Sequence, residues 1–176
     1  PVNPASTNWK SVFKNSLNIP IRFAQNSYQT NDPDLQVGVG YFVKYSDEVD
    51  TRIAGARVTR IDEQTFPVRM YEGWNTIGSL STPTSIENVT LVPYGSGAFP
   101  EITADIYRYV TDGGYQAVSE IQPGLGYWMK ISGQAYLRMT NGRTKAGINF
   151  GAARESVRSN ATVVTVADAA NRTNDL

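Results

Sequence analysis

Apolar and polar residues alternate along short stretches of this chain. The alternation is clear in Arg57-Val-Thr-Arg-Ile61, Phe66-Pro-Val-Arg-Met70 and Ala135-Tyr-Leu-Arg-Met139. It recurs in Ala104–Val110, with Ala104, Ile106 and Val110 on one face, and in Ala161–Val166. A period of two marks strands with one buried face. Turn signals separate the runs: Asn31-Asp-Pro-Asp34, Tyr94-Gly-Ser-Gly97, Asp112-Gly-Gly114, Ser132-Gly133 and Asn141-Gly142, the last a strong hairpin signal. No window concentrates helix formers. One short helical turn is expected from a Thr82 cap followed by Pro83. The pattern predicts an all-β fold, an antiparallel sandwich or barrel-like modules.

The chain also repeats itself imperfectly. Leu35–Ser46 lies over Ile121–Ser132 without a gap, pairing Gln36 with Gln122, Gly38 with Gly124, Gly40 with Gly126 and Tyr41 with Tyr127. Lys44/Lys130 and Ser46/Ser132 match too, and Arg52/Arg138 and Arg57/Arg143 extend the register. Repetition at a fixed offset marks a duplicated structural unit. Gly-x-Gly-Tyr-aromatic reads as a tight turn feeding a strand whose two aromatics, Tyr41 and Phe42 or Tyr127 and Trp128, point to opposite faces. Those rings read either as one core and one surface residue or as a binding platform.

The order Glu72-Gly-Trp-Asn-Thr-Ile-Gly78, Ser81–Val89, Gly114-Tyr115, Gln122-Pro-Gly-Leu-Gly-Tyr-Trp-Met-Lys130 resembles a β-rich module of large secreted bacterial surface proteins. Such modules recur in Bacteroidota-lineage cargo of type IX secretion. They open on a Gly-Trp-Asn strand, here Gly73, Trp74 and Asn75, and close on a Pro-Gly-x-Gly-Tyr-Trp strand, here through Gly124, Gly126, Tyr127 and Trp128. The resemblance is good over residues 66 to 140. It divides the chain into a shortened first repeat (1–70), a complete second repeat (71–150) and a C-terminal strand or tail (151–176). Asn8-Trp-Lys10 reads as a degenerate opening strand of the first. The resemblance implies export, an extracellular or outer-surface location and a spacer or assembly role, with no catalytic residue.

Composition narrows the chemistry. The 176 residues hold no cysteine and no histidine, which removes disulfides, thiolate and imidazole catalysis and most transition-metal sites. Sixteen basic and sixteen acidic side chains cancel, so nothing suits a phosphate backbone. No apolar run is long enough to span a bilayer as a helix. Asp32 and Asp34, and the cluster Asp47, Glu48 and Asp50, fall in turn-like stretches where carboxylates cap loops. Asn31–Asp34 has oxygen donors but lacks the glycine and closing glutamate of a calcium loop, so no metal and no cofactor is expected. Asn88, Asn160 and Asn171 open glycosylation sequons at about the chance frequency for so Ser/Thr-rich a chain. Trp74 is expected in the core, its indole N–H needing an acceptor.

These readings converge on a non-enzymatic structural protein associating through β-edge contacts with itself or another surface protein. The alternative is a carbohydrate-binding module holding a glycan on exposed aromatics. Four features suggest the edges: a first repeat without a clear opening strand, the unpaired look of Ala161–Val166, a polar tail at Pro1–Ser6, and a neutral chain.

Overall fold

The structure, a computed structural model, describes residues 2–30, 34–47, 53–96, 98–141, 165–167 and 173–175. In chain order the strands are β1 (Val2–Pro4), β2 (Arg22–Ala24), β3 (Ser27–Gln29), β4 (Gly55–Arg57), β5 (Arg60–Ile61), β6 (Arg69–Met70), β7 (Gly73–Ile77) and β8 (Thr84–Ser85). They continue as β9 (Val89–Pro93), β10 (Tyr107–Val110), β11 (Gly114–Ala117), β12 (Glu120–Ile121), β13 (Tyr127–Ile131), β14 (Ala135–Thr140), β15 (Thr165–Ala167) and β16 (Thr173–Asp175). One helical turn, α1 (Trp9–Val12), and one 3-10 turn, Ile86–Asn88, interrupt them.

Two antiparallel sheets enclose the core, so the chain is all-β. One has the order β11-β10-β13-β7. In the other, β14 pairs with β9 along one edge, while β5 and β6 share its opposite edge. The alternation read from the sequence is literal in β14, where Ala135, Leu137 and Met139 are buried and Tyr136, Arg138 and Thr140 are not. The first sheet contributes Ile77, Tyr127, Met129 and Ile131 to the same cluster; the second adds Ile61, Met70 and Val89. Strands from before position 71 thus share a sheet and a core with β14.

Local chemistry sets where strands stop. Arg57–Ile61 is expected as one strand but breaks between β4 and β5. After β5 the buried Asp62 carboxylate accepts from the Gln64 and Thr65 N–H groups (3.0 and 2.7 Å) and pairs with Arg60, which folds the chain back towards β6. The Asp112–Gly114 turn closes the β10–β11 hairpin, and Ser132-Gly133 joins β13 to β14. The helical turn near Thr82 begins later than expected. Ser85 caps it through the Glu87 N–H, because Thr84 and Ser85 are first drawn into pairing with β12.

Three expectations are corrected. Asn8-Trp-Lys10 is no strand: the Asn8 side chain accepts from the Lys10 N–H and starts α1. Near the N-terminus, Val2–Pro4 pairs with Gly55–Arg57 of its own chain and needs no outside partner. The late strand, placed at Thr165–Ala167, is also partnered within the chain, by Thr173–Asp175. The Asn141-Gly142 hairpin, residues 31–33, the Glu48 and Asp50 part of the acidic cluster, and sequons at Asn160 and Asn171 lie outside the described residues.

Leu137 is fully buried between the sheets. Leu137→Ala is expected to cost about 2–5 kcal/mol, measured as a lower urea midpoint at unchanged slope.

Candidate functional site

The two Gly-x-Gly-Tyr turns meet at one strand. Gly38 and Gly124 both have φ near the left-handed region, +86° and +82°, which a side chain would resist. In the first turn the Tyr41 hydroxyl accepts from the Gln36 N–H at 3.0 Å, and in the second the Tyr127 hydroxyl accepts from the Gln122 N–H at 2.6 Å. Each tyrosine thus folds back to close its own turn. Gln at five residues before Tyr was the signal for this in both copies. The turns then diverge: Trp128 lies within β13, whereas Phe42 makes only an isolated bridge to Ile21.

Strand β7 is held from both sides. Tyr127 is the ladder partner of Ile77 on one flank, and Val39 bridges Ile77 on the other. The Gly78 N–H donates to the Gly38 carbonyl at 2.8 Å. A Cβ on Gly40 would lie 2.6 Å from the Ile77 carbonyl oxygen, and one on Gly126 would reach the Gly40 Cα at 3.7 Å. The missing side chain at Gly40 is therefore what lets the first turn lie against β7, while Gly126 has room for a methyl group.

The Gly-Trp-Asn segment acts structurally. Asn75 is buried; its side chain accepts from the Tyr71 N–H (3.0 Å) and donates to the Tyr71 and Gly73 carbonyls (2.7 and 3.0 Å). This clip fixes the entry into β7. A Cβ on Gly73 would meet Asn26 Oδ1 at 2.5 Å.

Trp74 is half-buried and outside the core, contrary to expectation. Alternation from Asn75 and Ile77, which face inward, sends Trp74 to the opposite face of the sheet. There it meets Trp128 (ring centroids 6.3 Å apart) and Tyr107 (6.0 Å), and its indole N–H has no acceptor among the described residues. Trp128 is the hub of this outer layer, also touching Phe23 (5.1 Å), Phe42 (5.5 Å) and Tyr115 (6.0 Å). Interaction with Trp128 lowers the Tyr115 phenol against the larger effect of burial. The β2–β3 hairpin covers the hub, pinned where the Phe23 N–H donates to Thr76 Oγ1 at 3.0 Å.

Beside the hub is an open cleft of about 180 Å³. Gly40, Tyr41 and Phe42 form one wall; Leu125, Gly126, Tyr127 and Trp128 form the other. Arg108 and Tyr109 of β10 close its end. The cleft exists because the β10–β13 ladder stops at Tyr107↔Trp128, while β10 stays paired to β11 through Val110. In an antiparallel strand successive residues turn their N–H and C=O to opposite sides. At least one of Arg108, Tyr109 and Val110 therefore presents its backbone pair away from β11.

Arg108 is the one ionic side chain lining the cleft. No carboxylate is among its lining residues, which offer apolar surface, the Thr76 and tyrosine side chains, glycine backbone and one guanidinium. Among the described residues, no three acidic groups converge as a metal site would need. Of the acidic turns, Asp34 is taken by the Thr7 hydroxyl (3.0 Å) and Asp47 by Ser46 (2.9 Å).

Burial and neighbouring tyrosines push the Tyr115 phenol up to about 12; burial likewise raises Tyr127, against lowering by the Gln122 N–H and by Arg108. A raised phenol favours folding fully below the ordinary tyrosine value of about 10 and loses that contribution as pH climbs towards the folded value. Ultraviolet titration should show at least one tyrosine ionising well above the rest, with stability falling over the same range. Separately, Tyr127→Phe removes the acceptor of the half-buried Gln122 N–H. We expect a cost of about 0.5–1.5 kcal/mol, read by urea denaturation.

No protein-family model, no curated protein and no solved structure matches this chain.

Proposed function

We propose that this is a non-enzymatic structural or assembly protein, exported to the outer surface or the extracellular space, that associates through β-edge contacts with further copies of itself. The observation that carries this reading is the interrupted β10–β13 ladder. It leaves β10 unpaired on its β13 side beyond Tyr107, where at least one residue turns its backbone pair away from β11, next to half-exposed Tyr109 and Leu125. An open edge beside apolar surface recruits another chain. At the margin of the same sheet, β11 carries no lysine and no proline to discourage pairing. The two chain ends no longer contribute to the reading, since β1 and β15 pair internally. Export and surface location rest on the resemblance of the Gly73–Asn75 and Gly124–Trp128 segments to secreted surface modules.

A sugar-binding platform is less well supported. It calls for coplanar rings open to solvent, whereas the ring pairs described here meet at angles from 46° to 84°.

Sedimentation velocity across a wide concentration range, with negative-stain microscopy of the same samples, tests the proposal. Growth with concentration into filaments or sheets is expected. A folded monomer at every concentration would overturn it.

A further inference from the structure

The most exposed large apolar side chain among the described residues is Phe99, at 81%. It stands on a stiff base. Phe99 precedes Pro100, which restricts it to extended backbone, and Pro100 itself has a fixed φ. Pro100 packs beside Gly133, whose Cβ would lie 3.7 Å away. The next residue is fastened twice: the Glu101 N–H donates to Ser132 Oγ (2.9 Å) and the Glu101 carbonyl accepts from the Ser132 N–H (3.0 Å). The Glu101 side chain is exposed and has no ion-pair partner among the described residues. A rigid apolar knob with a carboxylate two residues on loses little conformational freedom when it docks.

The cleft is the complement of this knob. Its lining is aromatic and aliphatic with glycine backbone at Gly40 and Gly126, and Arg108 there has no ion-pair partner among the described residues. At about 180 Å³ it is smaller than the roughly 300–1,000 Å³ of a drug-sized pocket, with room for about one ring. Only Pro100 separates them, so Phe99 and Glu101 arrive together at the apolar part and the guanidinium.

Knob and cleft lie at opposite ends of β13. Gly126 and Tyr127 border the cleft at its start, and Ser132 holds Glu101 just past its end, about 20 Å of extended chain away. A two-fold pair would need both features on one face. Features at opposite ends leave one free on every copy, so the contact propagates.

The geometry points to a head-to-tail assembly in which Phe99 of one copy enters the Gly40–Gly126 cleft of the next while Glu101 meets Arg108. This rests on the reading that the chain self-associates and adds a side-chain contact to the open β10 backbone at the cleft. Phe99→Ser removes the knob and keeps the cleft; Arg108→Glu keeps the knob and repels the incoming carboxylate. By sedimentation velocity, each variant alone should self-associate at least about tenfold more weakly than wild type, at unchanged circular dichroism. Mixed in equal amounts, they should form two-chain complexes that grow no further, because each supplies what the other lacks. Combining Arg108→Glu with Glu101→Arg should restore growth. If wild type associates and Phe99→Ser associates equally well, or the mixture stays monomeric, this contact is wrong while self-association stands. If wild type is monomeric throughout, both fall.

Discussion

The Val39–Gly40 backbone approaches β7 so closely that even a methyl group would not fit: a Cβ on Gly40 would sit 2.6 Å from the Ile77 carbonyl oxygen. That contact, with the Gly78 N–H donating to Gly38, fixes the Leu35–Ser46 segment against a sheet built almost wholly from residues 73–131. Once it is there, Phe42 must lie against Trp128, and Ile21, bridged to Phe42, sets down the β2–β3 hairpin beside them. The cleft is the space left where the two glycine turns converge without side chains to fill it. A bulkier residue at Gly40 would undo the outer layer and the cleft together.

The central sheet is therefore buried on both faces by different means. Its inner face packs aliphatic side chains and Tyr127 against the second sheet. Its outer face packs rings against rings at steep angles, an arrangement that suits their quadrupoles and orients Trp128 towards Tyr115. Asn75 and Asp62, both buried, use their polar atoms on backbone groups of adjacent turns. These polar groups place the chain where strands begin and end.

Part of the core could be read from the chain. The alternation in Ala135–Met139 was followed faithfully, and the Gly-x-Gly-Tyr turns share a conformation that their matched glycines imply. Parity along a strand, however, says only which residues share a face. It does not say whether a second layer covers the outward one, so Trp74 was expected in the core and lies in an aromatic layer that depends on a hairpin fifty residues earlier. Asn8 was read as strand and the cap was placed at Thr82 because capping and strand pairing compete locally. The cleft was illegible: it arises where a ladder ends early, and Gly40, Arg108 and Gly126 meet there only in three dimensions.

The hairpin over Trp128 has a consequence for how the chain reaches its native state. Phe23 and Tyr28 are made first during synthesis, yet the surface they cover does not exist until residue 131 has joined β7 and β10. Contacts this distant in sequence slow folding, because loop-closure entropy is spent before packing repays it. Until then the early half has no sheet to dock on. Folding is completed by the part of the chain that arrives last, and the early aromatics remain exposed to other chains for that interval.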